Sequence, residues 1–290
     1  MTQLTFRKAT KAQAKLRAAF FGPSGAGKTF SALRVASGMG KQIAVIDTER
    51  GSASKYSDRF NFDVLELPKK DIETYCAAIR AAADAGYDVL IIDSLSHAWQ
   101  ELLEENDRVA KAKYKGNTWS AWSEGTPKQR KLIDTILDYP GHVIATMRSK
   151  TEWTTEKNES GRNAPKRVGL APEQGKNIEY EFDLLLEIGV EHFANVIKDR
   201  TGKFQDATIE KPGESFGKEL ADWLGQGITN LAPARDKIKI KAKSLFADNR
   251  ISRQEAIDVV ADAANADEAK LQEIMNWLES IGVEGNAAAA

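Results

Sequence analysis

The stretch Gly22-Pro-Ser-Gly-Ala-Gly-Lys28-Thr29 decides the fold of this chain. It matches the phosphate-binding pattern G-x-x-x-x-G-K-[ST] at every fixed position. Small residues let backbone N–H groups close around a phosphate, the lysine neutralises the β and γ oxygens, and the hydroxyl is a ligand for Mg²⁺. The sequence therefore predicts a nucleotide-binding loop formed by Gly22, Pro23, Ser24, Gly25, Ala26, Gly27, Lys28, Thr29 and Phe30.

The segments on either side of this loop support that interpretation. Residues 16–21 are apolar and predict a buried strand leading in, and residues 29–36 have the spacing of a helix leading out. Apolar runs at residues 42–47, 87–93 and 141–146 predict further strands, separated by helical segments. Strands that alternate with helices are typical of a mostly parallel, doubly wound sheet. We therefore expect an α/β P-loop NTPase core.

Local signals mark several helix ends. Thr126-Pro-Lys-Gln129 combines a capping threonine, a proline in the first turn and a glutamine at the third position, which predicts a helix start. Gly86 suits the position just beyond a helix over residues 72–85. Ser252-Arg-Gln-Glu255 is a capping box and predicts a helix start near the carboxyl end of the chain.

The sequence pattern changes near residue 231. Beyond that point there is no convincing strand pattern, and three stretches have helical spacing. We predict an ATPase domain over residues 1–230, a small helical module over residues 231–284 and a disordered tail over residues 285–290.

Composition limits the classes of protein to consider. The 290 residues have a formal net charge of −1, so a nucleic-acid surface would have to be local. The single Cys76 excludes an intramolecular disulfide. No apolar run approaches the ~18 residues of a membrane span, and the first residues do not resemble a signal peptide. We expect a cytoplasmic protein with no membrane contact.

Nucleotide hydrolysis needs a bound Mg²⁺ and an activated water. Asp93 ends an apolar run and is the candidate that orders the water shell of the metal, with Thr29 as a direct ligand. Many P-loop ATPases have a water-polarising glutamate directly after this acid, but here Ser94 follows it. Glu49, just past the neighbouring strand, is therefore the candidate general base, with Asp47 as the alternative. Glu49 could instead be a solvated loop charge.

The order of these motifs resembles the core of RecA-type recombination ATPases. Residues 6–10, 46–54, 91–99, 142–150 and 168–172 are more similar still to a family of phage-encoded ATP-binding proteins that includes RecA-like single-strand annealing proteins. The similarity covers roughly residues 4–224 and excludes the carboxyl-terminal helices. It implies a RecA-like core that binds ATP and Mg²⁺, and a protein that binds single-stranded DNA in annealing or recombination.

The resemblance also implies roles for individual residues. Lys28 and Thr29 would hold phosphate and Mg²⁺, Asp93 would support the metal, and Glu49 stands where RecA proteins have their catalytic glutamate. RecA has a glutamine that senses the γ-phosphate after the strand that ends near residue 146, and this chain offers Thr146 or Met147 there.

A second resemblance concerns a pair of cations that completes the nucleotide site of a neighbouring subunit in other ATPases. Lys198-Asp-Arg200 is similar to the lysine–x–arginine pair of RadA and the ring helicases, which reaches the γ-phosphate of a neighbouring subunit. This similarity implies that Lys198 and Arg200 act in a homo-oligomer, either a ring or a filament. The alternative is that both residues are surface charges at the end of a hairpin.

Two segments have chemistry suited to single-stranded nucleic acid. Residues 111–122 place lysines among aromatic rings, which provides charge for phosphates and faces for base stacking. Residues 150–176 have the glycine and proline spacing of a mobile loop, although acidic residues interrupt their positive charge. Trp119 and Trp122 also fit a packing role on the following helix. The candidate nucleic-acid contacts are Lys111, Lys113, Lys115, Lys150, Arg162, Lys166 and Arg167.

The leading hypothesis is an ATP-hydrolysing, RecA-like DNA-binding protein, with a single-strand-binding protein as a further candidate partner. A helicase or loader motor shares nearly every motif. A P-loop kinase for a small metabolite would use residues 150–176 as a lid, but it leaves Glu49 and the Lys198/Arg200 pair unexplained. A partitioning ATPase usually has an extra lysine early in the loop, where this chain has Pro23 and Ser24.

Overall fold

The computed structural model describes residues 14–157, 163–176, 178–225, 232–266 and 268–283. The chain divides into two compact units. The larger unit is Lys15–Gly225, and the second contains the carboxyl-terminal helices. The predicted boundary at residue 230, between an ATPase domain and a helical module, stays a prediction.

A nine-stranded sheet forms the centre of the larger unit within the described residues. Its order is β3-β2-β4-β5-β1-β7-β8-β9, and β6 pairs with β5. The pairs among β1 to β5 and the pair β1/β7 are parallel, and the pairs β5/β6, β7/β8 and β8/β9 are antiparallel. The strands are β1 (Arg17–Gly22), β2 (Ile43–Asp47), β3 (Asp63–Glu66), β4 (Val89–Asp93), β5 (His142–Lys157), β6 (Asn163–Pro172), β7 (Leu184–Ile188), β8 (Phe193–Asp199) and β9 (Thr208–Glu210).

Helices cover both faces of this sheet. They are α1 (Lys28–Met39), α2 (Ile72–Asp84), α3 (Ser96–Lys113), α4 (Thr118–Leu137) and α5 (Glu214–Gly225). One apolar core contains residues of α2, α3 and α4, and a second contains residues of α1 and α5. Every residue of β1, β2 and β4 is buried, as expected for parallel strands covered on both sides. The prediction of a mostly parallel, doubly wound α/β sheet is confirmed.

The predicted start of α4 was wrong. The helix begins at Thr118, and the side chain of Asn117 caps it by accepting the Ser120 N–H at 3.1 Å. Pro127 therefore lies inside the helix, although proline is more often found in a first turn. An earlier cap determines where this helix starts.

The prediction of a mobile loop over residues 150–176 was also wrong for most of that segment. Strand β5 continues past the sheet to Lys157 and pairs with β6 in an antiparallel hairpin, in which Ser149 is opposite Pro172. Backbone pairing of residues 149–157 with residues 163–172 gives this hairpin regular structure. We call it the β5–β6 hairpin.

The second unit contains α6 (Ala232–Ala247), α7 (Arg253–Asn265) and α8 (Glu268–Val283). Its apolar core includes Ile238 of α6 and Leu278 of α8. The predicted capping box is confirmed at the start of α7, where the Ser252 and Glu255 side chains each accept the other residue's backbone N–H. Of the helices in the described residues, none is long and apolar enough to span a membrane.

His142 joins the amino ends of two neighbouring strands. Its Nδ1 atom accepts the backbone N–H of Leu16 at 3.0 Å, so the bond requires an unprotonated Nδ1. Burial lowers the pKa of His142 to about 4, and the nearby charges of Lys15 and Arg17 act in the same direction. The folded protein therefore keeps this ring neutral at pH values where the unfolded chain begins to bind a proton.

This histidine predicts a loss of stability in mild acid. The free energy of unfolding should fall by about 1–2 kcal/mol between pH 7 and pH 5, because only the unfolded state protonates residue 142 in that window. In His142→Asn the amide oxygen can still accept from Leu16 but does not titrate, so that part of the pH dependence should disappear. Urea unfolding at several pH values measures both, and identical pH profiles for the two proteins would contradict the prediction.

Candidate active site

A cleft of about 600 Å³ lies at the carboxyl ends of β1, β2 and β4 and beside the middle of β5. These strands are parallel, so the residues that follow them meet at one edge of the sheet. All residues of the predicted loop line this cleft except Ala26, which is buried. The lining residues are Gly22, Pro23, Ser24, Gly25, Gly27, Lys28, Thr29, Phe30, Glu49, Ser52, Tyr56, Asp93, Ser94, Arg148, Ser149 and Glu173.

The shape of the loop depends on its glycines. Gly25 and Gly27 have φ angles of 81° and 82°, in the left-handed region that strongly favours glycine. Gly27 directly precedes α1, so the amino end of that helix and its free N–H groups open onto the cleft. This is the arrangement that binds phosphate at a helix N-terminus.

The Lys28 side chain folds back onto the first residues of the phosphate loop. Its Nζ donates to the carbonyl oxygens of Gly22 and Pro23 at 3.0 and 2.8 Å. Burial lowers the pKa of Lys28, and the carboxylates of Asp93 and Glu49 act in the opposite direction. A cation in this position can neutralise phosphate oxygens at the loop.

Asp93 accepts hydrogen bonds from two threonine hydroxyls. Thr29 Oγ1 donates to its Oδ2 at 2.6 Å, and Thr146 Oγ1 donates to its Oδ1. The carboxyl group is buried, and this burial raises its pKa. Hydroxyl and carboxylate oxygens are ligands that Mg²⁺ prefers, and the ion usually takes its remaining ligands from water and substrate phosphate. Thr29 and Asp93 therefore fit a Mg²⁺ ion bound together with a nucleotide.

Glu49 reaches the cleft, whereas the alternative base Asp47 does not. Asp47 is buried, and its oxygens accept the N–H groups of Glu49 at 2.6 Å and Ala53 at 3.0 Å. It therefore fixes the backbone of the loop after β2. The Glu49 carboxylate accepts from Nη2 of Arg148, at 2.9 Å to Oε1 and 3.2 Å to Oε2.

His97 provides a second neighbour for Glu49. The Thr48 hydroxyl oxygen accepts the Ser94 N–H at 2.8 Å. The nearest acceptor for the hydroxyl proton of Thr48 is Nδ1 of His97, at 2.7 Å from Oγ1. A hydroxyl proton donated to Nδ1 leaves the ring proton on Nε2, which is 3.6 Å from Oε1 of Glu49. Burial lowers the pKa of His97, so the ring is neutral near pH 7.

Two residues that line the cleft, Arg148 and Tyr56, were not predicted from the sequence. Thr146 and Met147, the expected positions for a γ-phosphate sensor, are fully buried, and Arg148 is the first residue of this strand to line the cleft. Tyr56 lies in a 3₁₀ turn after β2, and its ring centroid is 5.4 Å from that of Phe30. These two rings form an aromatic wall of the cleft. The position of Arg148 could have been predicted from the sequence. Both faces of a central parallel strand are covered inside the core, so the first residue that leaves the apolar run is the one able to reach a cleft.

Lys198 and Arg200 lie outside this cleft. Lys198 of β8 is opposite Leu185 of β7, and Leu185 is opposite Ala19 of β1. Ala19 lies in the half of β1 that is farther from the phosphate loop, so Lys198 lies toward the end of the sheet that is away from that loop. Lys198 Nζ donates to the carbonyl oxygens of Glu179 and Tyr180 at 2.7 and 2.9 Å. Arg200 also donates to the Tyr180 carbonyl and is half exposed.

The candidate nucleic-acid residues of the first segment lie around the turn between α3 and α4. Lys111, Lys113 and Lys115 are all exposed, and Lys113 also pairs with Glu124 at 2.8 Å. Trp119 is 87% exposed.

Trp122 stacks on Trp99 with 5.5 Å between ring centroids. The packing interpretation therefore holds for Trp122 and was wrong for Trp119.

The second segment is only partly described. Lys150 is exposed in β5, and its Nζ donates to the Gln174 carbonyl at 3.2 Å. Lys166 and Arg167 belong to β6, where their backbone positions alone are described. Arg162 lies outside the described residues.

A protein-family model described as an AAA domain matches residues 14–214, more than half of the chain. The chain belongs to this family of AAA domains. No curated protein sequence matches this AAA domain protein. A solved structure described as a prototypical ATPase from the type III secretion system of pathogenic bacteria is similar, with 10% sequence identity and a TM-score of 0.35. The match covers 96% of this chain and 88% of that one, and a likeness of this size supports no inference about the AAA domain.

The buried carboxylate predicts opposite effects on stability and on nucleotide binding. In Asp93→Asn, the free energy of unfolding without metal or nucleotide should rise by about 1 kcal/mol, because a desolvated charge is removed. Mg²⁺-dependent ATP binding should weaken at least about tenfold, because an ionic oxygen ligand is lost. Urea unfolding, together with calorimetric titration of ATP with Mg²⁺ or EDTA, measures both effects. A marked loss of stability would instead identify Asp93 as a structural residue.

Proposed function

We propose that this protein is a Mg²⁺-dependent ATPase with a RecA-like mode of action, which binds single-stranded DNA and promotes annealing or recombination. One observation carries the ATPase part of the proposal. Thr29 Oγ1 lies 2.6 Å from Oδ2 of Asp93, in the same cleft as Lys28 and Glu49. Phosphate-binding, metal-binding and proton-accepting groups thus share one edge of a rigid sheet.

Each of these groups has a role in hydrolysis. The loop N–H groups and Lys28 bind the phosphates, and Thr29 and Asp93 hold the metal ion, which disperses negative charge on the phosphates when it is bound. A water oxygen forms a bond to the γ-phosphorus, and the bond from that phosphorus to the bridging oxygen of ADP breaks. Glu49 accepts the proton of the water. Tyr56 and Phe30 provide apolar faces on which a base can pack.

Two further assignments in this proposal rest on surface chemistry. Trp119 offers an exposed aromatic face in the first turn of α4, and the exposed Lys111 and Lys115 are close to it in sequence. A combination of aromatic faces and positive charges binds single strands by stacking and by charge. Lys198 and Arg200 lie outside the cleft of their own subunit, as residues that act on a neighbour's nucleotide must. We therefore propose a homo-oligomer in which this pair reaches the adjacent site.

ATP turnover with and without single-stranded DNA tests the proposal. Wild-type hydrolysis should be stimulated by the DNA, and Lys28→Ala should abolish turnover because the phosphate charge is no longer neutralised. Lys41→Ala, an exposed lysine outside the cleft, is the matched control and should behave like wild type. Unchanged turnover in Lys28→Ala would refute the site. Turnover that is indifferent to DNA would refute the DNA-dependent part alone.

The exposed tryptophan gives a separate prediction for DNA binding. Trp119→Ala should weaken the affinity for a fluorescently labelled oligothymidine about tenfold, because stacking contributes ~1–3 kcal/mol per base. Trp277→Ala removes a partly exposed indole from α8 and should leave the affinity unchanged. Fluorescence anisotropy measures both. Equal losses in the two variants, or none in Trp119→Ala, would place the DNA surface elsewhere.

A further inference from the structure

Arg148 connects the candidate catalytic base with the cleft. Its Nη2 contacts both carboxylate oxygens of Glu49, at 2.9 and 3.2 Å. The Arg148 side chain is 42% exposed and lines the same cleft as Lys28. The positive charge of Arg148 also helps to lower the pKa of Lys28, so the two cations face a shared space.

The backbone of Arg148 is tied to two other elements. Its N–H donates to Ser96 Oγ at 2.9 Å, at the start of α3. Its carbonyl accepts the N–H of Glu173 at 2.7 Å. The next residue, Ser149, is the first to pair with β6, so Arg148 lies at the base of the β5–β6 hairpin. A change in the position of Arg148 is therefore transmitted to the hairpin through the main chain on both of its strands.

Arg148 has a partner that a triphosphate can replace. Its contact with Glu49 is an ion pair between partly exposed groups, and such pairs are weak. A guanidinium group binds phosphate oxygens in a planar, two-pronged geometry, with shorter and stronger hydrogen bonds than those between neutral groups. A γ-phosphate bound near Lys28 would compete with Glu49 for this cation, whereas a diphosphate would present one phosphate fewer.

We propose that Arg148 senses the γ-phosphate by exchanging partners, leaving Glu49 for the triphosphate, and that this exchange couples the bound nucleotide to the β5–β6 hairpin. While Arg148 pairs with Glu49, it occupies the carboxylate oxygens that would accept the proton of water. Transfer of Arg148 to the γ-phosphate frees these oxygens only when a nucleotide with a γ-phosphate is bound. This inference rests on the ATP site of the proposed function.

Binding affinities test the exchange without relying on hydrolysis. The two probes, both with Mg²⁺, are ADP and an ATP analogue whose β–γ bridge cannot be hydrolysed. Arg148→Ala should bind the analogue at least about tenfold more weakly and bind ADP as wild type does, since a hydrogen bond to a charged group is lost for the triphosphate alone. Arg148→Lys should retain part of the preference for the triphosphate. Arg108→Ala, which removes an exposed arginine paired with Glu101 on α3, is the matched control.

A double-mutant cycle tests whether Glu49 is the competing partner. Glu49→Gln should tighten binding of the analogue several-fold in the presence of Arg148, and by much less in the Arg148→Ala background. Equal effects in the two backgrounds would mean that Glu49 only repels the phosphate, and the exchange would be refuted.

Hydrogen exchange tests the link to the hairpin. The analogue, but not ADP, should change the exchange rates of amides in residues 149–157 of wild type, and this difference should be absent in Arg148→Ala. Its persistence in the variant would refute the coupling.

Equal losses of ADP and analogue affinity in Arg148→Ala would show a structural role and overturn the inference, while leaving the ATP site intact. Failure of the wild-type protein to bind either nucleotide would overturn the proposed function itself.

Discussion

The desolvated carboxylate of Asp93 is the constraint around which the candidate site is arranged. Its pKa is raised by burial, so the fold holds the ionised form at an energetic disadvantage. Two threonine hydroxyls reduce that disadvantage, Thr29 from the first turn of α1 and Thr146 from within β5. These contacts fix the distance between the phosphate loop and the central strands. The fully buried parallel strands supply the rigidity that keeps an unfavourable charge in place.

The fold and half of the candidate site could be predicted because their signals are local. The phosphate loop, the acid at the end of β4 and the capping box at Ser252 are each encoded within fewer than about ten residues, where spacing alone determines the geometry. Glu49 was the first candidate base from the sequence and Asp47 the second, and the structure gives a physical difference between them, because Asp47 is buried and accepts two loop N–H groups. The spacing of residues in the sequence does not show which of these two carboxylates is buried.

The errors arose where distant segments decide the local conformation. Pairing with β6 gives residues 149–157 their strand structure, and a sequence rich in turn-forming residues did not indicate that partner. Asn117 begins α4 earlier than the signal at Thr126, because several residues in one stretch can cap a helix and tertiary packing selects among them. Arg148 was not predicted to line the cleft, because only Thr146 and Met147 were considered on this strand, and both are buried.

The first glycine of the phosphate loop is determined by the sheet as much as by the ligand. A Cβ atom on Gly22 would lie 2.2 Å from the carbonyl oxygen of Ile188 in β7, so any side chain there would push two neighbouring strands apart. Gly25 differs, since a Cβ atom on it would meet open space and only its φ of 81° disfavours other residues. The two glycines of one motif are therefore required for different physical reasons, Gly22 by the packing of the sheet and Gly25 by its backbone conformation. The requirement for glycine at position 22 would therefore persist in a variant whose cleft no longer binds a nucleotide, because the packing of β1 against β7 imposes it.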